Sequence, residues 1–128
     1  MSFPASYYET RFTLVGAPDP LPPRFAIITA HNPMDRPWSP RMNATADQRL
    51  RRLLERKLLP HFRATGHAPD HSHAEPGWAI VTDLGTALAI ARRFKQRALW
   101  WIEDNELHLI ASARQRREIP GTFTERIA

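Results

Sequence analysis

Residues 9–15 (Glu-Thr-Arg-Phe-Thr-Leu-Val) alternate polar and apolar side chains, the period of two expected of a half-buried strand. Residues 24–30 (Arg-Phe-Ala-Ile-Ile-Thr-Ala) form a short apolar, β-branched run between Pro-rich stretches and predict a buried central strand. The spacing then changes to three and four at Leu50, Leu53, Leu54 and Leu58, which predicts a helix ending near Pro60. Its cap is Thr45, at capping-box distance from Gln48, or Asn43. Arg49, Arg52 and Arg56 repeat at the same spacing and therefore share the helix's other side. Residues 78–82 read as a third strand, and Asp83 can cap a second helix whose buried stripe is Leu84, Ala87, Leu88 and Ala91. Residues 98–103 and 106–111 are two strands joined at Asp104-Asn105, residues that tolerate the left-handed backbone of a tight hairpin.

The resulting order is β-β-α-β-α-β-β. It predicts a single α+β domain over residues 1–113, with a mixed or mainly antiparallel sheet of about five strands and two helices packed on one face. Residues 114–128 read as a polar, basic, loosely held tail. Strict β-α alternation is absent, which argues against a doubly wound nucleotide-binding fold.

Composition narrows the chemistry. A chain of 128 residues has room for one core. The absence of Cys excludes disulfides, thiolate metal sites and Cys nucleophiles. No apolar run approaches the ~20 residues of a membrane span, and residues 1–9 lack the features of a signal peptide, so the expected setting is the cytoplasm, away from membranes. There is no Gly-rich phosphate loop and no Gly-x-Ser-x-Gly elbow, which disfavours the kinase and hydrolase classes built on them. The formal net charge is +5, and its placement matters more than its size. Six bases and a single acid, Glu55, lie between Arg49 and Arg63. Arg92, Arg93, Lys95 and Arg97 follow with no acid among them, and Arg114, Arg116 and Arg117 form a third group. Clusters of this kind either solvate helix faces or attract polyanions.

Four constellations could carry chemistry. Thr29-Ala30-His31-Asn32-Pro33 lies where the central strand runs out, so His31 is either a base or donor and Asn32 a donor and acceptor, or the run is a turn opener. The segment 66–75 holds three of the six His. If residues 71–75 are extended, His71, His73 and Glu75 share one side and could bind a metal, although a metal-free Pro/His-rich loop has the same composition. Arg36 and Arg41 lie near the Arg-bearing side of the first helix, and residues 43–47 at its N-terminus could help hold a phosphate unless the Asp47 carboxylate already satisfies that end. Trp38, Trp78, Trp100 and Trp101 could stack on bases. Adjacent strand residues face opposite ways, however, so at least one of Trp100 and Trp101 is expected in the core.

Ile27-Ile28-Thr29-Ala30-His31-Asn32-Pro33, then Ser39 and Asn43 before a Leu-rich helix, Glu75-Pro76, and Arg93-Phe94-Lys95-Gln96-Arg97-Ala98 together resemble a bacterial family known as domain of unknown function 3293, over roughly residues 7–110. The chain departs from that pattern at Gly77, where Ser is expected, and at Lys95, where Gly is expected. The resemblance implies that Asn32, Asn43, Glu75 and Gln96 belong to one site. All four stand at element ends, where a sheet could gather them into a polar pocket.

The leading expectation is a small cytosolic domain that binds an anionic ligand, a nucleotide or nucleic acid. His31, Asn32, Asn43, Glu75 and Gln96 would read polar edges, and Arg36, Arg41, Arg49, Arg52 and Arg56 would supply charge. The alternatives are a protein-interaction module whose basic helix face meets an acidic surface, and a small hydrolase with His31 or Glu75 as base, with or without a metal at His71 and His73. No cofactor is expected.

Overall fold

A computed structural model describes residue 3 and residues 5–113 and 117–128. Arg114 and Arg116 of the third basic group fall outside the described residues. The chain opens with a single turn, α1 (Ala5–Tyr8), and strand β1 (Arg11–Val15), followed by β2 (Arg24–Thr29). A 3-10 turn (Pro33–Asp35) leads into α2 (Pro40–Arg56). Then come the hairpin β3 (His61–His67) and β4 (Ala74–Ile80), α3 (Leu84–Arg93), and the meander β5 (Ala98–Glu103), β6 (Glu106–Ala111) and β7 (Arg117–Thr122). The strands form one antiparallel sheet in the order β1-β3-β4-β2-β5-β6-β7. The α+β expectation holds, but the sheet has seven strands rather than about five, and a third, one-turn helix precedes it.

β2 lies at the middle of the sheet, and its alternating side chains feed two cores. Ala26 and Ile28 face α2 and α3 together with Trp78, Ile80, Leu99 and Trp101, against Leu50, Leu53 and Leu54 of α2 and Ala87, Leu88, Ile90 and Ala91 of α3. Phe25 and Ile27 face the other way, into a cluster with Phe12, Phe62, Ile102, Leu107 and Phe123. Neither long helix covers that side; Tyr7 of α1 packs edge-on to Trp100 at its border. The sheet curls instead, until the C-terminal residues meet β1: Ile127 bridges Phe12, and the Ala128 N–H donates to the Phe12 carbonyl at 2.8 Å. The residues read as a loose tail therefore supply an edge strand, and Phe123 is fully buried between Phe12 and Phe25.

The helix starts also differ from expectation. Ser39 caps α2, its hydroxyl accepting from Met42 N–H at 3.1 Å, and Pro40 fills the first helical position. Asn43 and Thr45 thus lie inside the helix. Asp83 caps α3 as expected, accepting from Thr86 N–H at 2.8 Å. No helix among the described residues is long and apolar enough to cross a membrane.

Candidate functional site

The segment between β2 and α2 is backbone that must be held in place. Asn32, Met34 and Asp35 all have positive φ (46°, 55° and 61°), a region that Asn and Asp tolerate but Met adopts only at a cost of roughly 1–3 kcal/mol. Three of the four residues tied together by the resemblance converge on it or beside it. The Asn32 N–H donates to Asn43 Oδ1 at 2.9 Å, and Asn43 Nδ2 donates back to Asn32 Oδ1 at 2.9 Å. Asn32 Oδ1 also accepts from the Trp38 N–H at 2.9 Å, and Asn43 Nδ2 reaches the Trp38 carbonyl at 3.4 Å. Gln96, buried at the end of α3, donates from Nε2 to the His31 carbonyl at 3.1 Å and to the Phe94 carbonyl at 3.3 Å. The Lys95 carbonyl receives the Met34 N–H at 2.8 Å. These amides spend their polar atoms on one another and on the backbone, so they form a packed clamp rather than an open pocket.

Lys95 itself has φ +54°. It follows the α3 C-cap, where its N–H bonds the Arg92 carbonyl and the Gln96 N–H bonds the Ala91 carbonyl, the Schellman pattern that favours glycine. This explains physically why Gly is expected there. At Gly77 the geometry is reversed: a Cβ would lie 2.9 Å from the Ile28 carbonyl oxygen and 3.0 Å from that of Ala64, so a serine does not fit where three strands crowd together.

Glu75 is not part of the clamp. It lies partly exposed at the start of β4, accepting from His73 Nε2 at 3.2 Å. Its charge still reaches His31. Burial lowers the His31 pKa and Arg63 adds to the shift, while Asp47 and Glu75 oppose it. Tyr7 donates to Asp35 Oδ1 at 3.1 Å, and Arg97 pairs with Asp35 Oδ2 at 3.2 Å. Burial, and then Asp35, push the Tyr7 hydroxyl well above its ordinary pKa.

The alignment of His71, His73 and Glu75 that an extended segment would give does not form. Residues 68–73 are the β3–β4 hairpin loop, His71 takes φ +62°, and its ring stacks on that of His67 at 4.1 Å. A left-handed residue breaks the alternation that would have placed the three on one side. Among the described residues no group of three His, Asp or Glu could hold a metal ion.

Asp47, expected at the start of α2, is the eighth residue of the helix and does not satisfy its end. It points inward, buried, and pairs bidentately with Arg63 of β3, both contacts at 2.9 Å. The Arg63 guanidinium lies 3.8 Å above the Trp78 ring, which also meets the His61 ring in a T-shaped contact at 5.3 Å. The amides of residues 43–47 are likewise not free for a phosphate, since the helix begins at Pro40 and the Asn43 N–H already bonds the Ser39 carbonyl. In the sequence Arg63 is simply one more base of the first basic group. Ser39-Pro40 is the signal for the helix start, and the three-residue spacing from Asp47 to Leu50 is the signal that Asp47 faces inward.

The remaining basic candidates stay in solvent. Arg36, Arg41, Arg49, Arg52 and Arg56 are all exposed, and none makes an ion pair with a described residue. Among the described residues the one ion pair with both partners inside α2 joins Arg51 to Glu55 at 3.9 Å. With 3.6 residues per turn, Arg41, Arg49, Arg52 and Arg56 fall within an arc of about 80° and extend along about 22 Å of axis. They run opposite the buried stripe of Asn43, Ala46, Asp47, Leu50, Leu53 and Leu54. Of the four tryptophans, Trp78 and Trp101 are buried, Trp100 packs edge-on to Phe12, and Trp38 is exposed.

Two cavities lie elsewhere. One of about 450 Å³ is lined by Tyr8, Glu9, Arg11, Pro69, Glu125 and Arg126. Another, of about 470 Å³, lies at the opposite end of β2, beside Arg24, Asp83, Trp101 and Glu103. Neither touches the clamp or the arginine ridge.

A family model described as a protein of unknown function (DUF3293) matches residues 28–99. That stretch is more than half of the chain and contains the clamp, Trp38 and all of α2. No curated protein and no solved structure matches.

Proposed function

The chain belongs to the DUF3293 family, and from that premise we propose that it binds nucleic acid, with the exposed face of α2 against the phosphate backbone. The observation that carries this reading is the ridge of Arg41, Arg49, Arg52 and Arg56, four guanidinium groups in solvent with no ion pair to a described residue. A row of unpaired cations repels itself and releases that strain when a polyanion neutralises it. Guanidinium also matches phosphate oxygens in a bidentate way that ammonium does not, and the face carries Arg rather than Lys. Arg36, exposed just before the helix, extends the same field. The polar pocket first expected at the strand ends is not needed for this reading: Asn32, Asn43 and Gln96 support the surface from behind, and the arginines meet the ligand.

The test is binding of a fluorescent single-stranded oligonucleotide, read by anisotropy across a salt series. Four phosphate contacts give a log–log slope near −3, or an affinity loss of about 50-fold between ~50 and ~200 mM salt. Replacing Arg41, Arg49, Arg52 and Arg56 together by Gln should flatten the slope towards zero and leave the melting temperature unchanged. No binding by the intact protein at low salt, or an undiminished slope in the fourfold variant, would overturn the reading.

A further inference from the structure

We infer that Trp38 is a base-stacking residue and that the ligand of the α2 ridge is single-stranded nucleic acid. The inference rests on the polyanion reading above and adds to it the strand class.

Trp38 is 37% exposed, whereas Trp78 and Trp101 are buried at 8% and 3%. An exposed indole on an unanchored loop would be unremarkable, but this backbone is gripped from both sides. Its N–H donates to Asn32 Oδ1 at 2.9 Å and its carbonyl accepts from Asn43 Nδ2 at 3.4 Å. Asn32 and Asn43 are themselves joined by two further bonds of 2.9 Å. Two amides thus fix the main chain of a residue whose ring remains in solvent. An aromatic group presented from rigid backbone has little freedom to lose when a ring stacks on it.

Its position supplies the charge. Trp38 directly precedes Ser39, the cap of α2, and stands between exposed Arg36 and Arg41. Met42, in the first turn of the helix, is also exposed. An aromatic platform beginning a row of cations matches the two needs of a flexible strand: a face for a base and charges for the phosphates that follow. A duplex hides its base faces in the stack and offers Trp38 nothing. Asn32 and Asn43 are then positioning residues for the indole.

The experiment compares a single-stranded oligonucleotide with a duplex of the same length at one salt concentration, in the intact protein and in Trp38→Ala, Trp38→Phe and Asn32→Gly variants. A duplex has the higher charge density, so a purely electrostatic surface would prefer it. The inference predicts the reverse preference. It predicts that Trp38→Ala weakens single-strand binding by about 5- to 150-fold, the range of one stacked base, without changing the salt slope. Trp38→Phe should retain most of the affinity. Asn32→Gly, which keeps the left-handed backbone and removes the Oδ1 anchor, should weaken binding in the same direction. Equal or tighter duplex binding, a Trp38→Ala variant that binds as the intact protein does, or equally tight capture of a polyglutamate peptide would overturn it while leaving the α2 ridge to be judged by its salt slope. Failure of the intact protein to bind either nucleic acid at low salt would remove the underlying reading and this one together.

Discussion

Asn32 and Asn43 each have two donors and an acceptor to satisfy in a half-buried setting, and each finds most of its partners in the other and in the main chain of Trp38. Their connection was legible in the sequence through the family pattern, and so was that of Gln96. Their task was not, because a sequence names amides without naming what they bond. The same applies to Asp47 and Arg63, whose pairing across α2 and β3 follows from the place of Asp47 on the buried stripe of the helix. His31 gives a prediction at this scale. Burial lowers its folded-state pKa below the unfolded value, so the unfolded chain binds the proton more readily. The His31 contribution is therefore intact above the ordinary imidazole pKa of about 6.5 and is lost as pH falls through that value towards the lower folded one. Urea midpoints measured from neutral to mildly acidic pH should decline, and His31→Gln should decline less. Identical pH profiles for the two proteins would contradict the assignment.

Both long helices end on the same device. Leu58 follows α2 at φ +55° and Lys95 follows α3 at φ +54°, and in each case paired backbone bonds close a Schellman motif around a non-glycine residue. Leu58 is 87% exposed, so its side chain returns almost nothing for the strained backbone. Leu58→Gly and Lys95→Gly should each stabilise the protein, by about 1 kcal/mol, seen as a raised thermal midpoint; a lowered midpoint in both would show that the side chains hold these ends. The strands were legible where apolar residues were dense. β2, β5 and β6 match their sequence patterns closely, whereas β3 gives the apolar core only Phe62 and Ala64, its third buried residue, His67, being polar. β7 contains Pro120 and Gly121, residues that read as a loop and are tolerated here because the strand is at the sheet's edge. Capping-box spacing at Thr45 was outweighed by Ser39 and Pro40, which supply both the hydroxyl and the fixed φ of a helix start.

At the scale of the whole molecule, one sheet serves two cores, and this division sets what remains outside. The curl that brings Ile127 to Phe12 closes the aromatic side without either long helix, a long-range event that no local period records. Both long helices are then free to cover the other face, and the buried stripe of α2 forces Arg41, Arg49, Arg52 and Arg56 outward as a continuous row beside the clamped Trp38. The central claim is that this row and that indole form one surface for a single strand. Its most direct test is a two-dimensional NMR titration of the labelled protein with a thymidine oligonucleotide, following the four indole N–H signals and the backbone amides. The account predicts that the Trp38 indole and the amides of α2 and of the segment 31–38 shift together, while the Trp78 and Trp101 indoles stay in place. Shifts gathered instead around the cavity of Tyr8, Arg11 and Arg126, or around that of Arg24 and Trp101, with Trp38 unmoved, would contradict it.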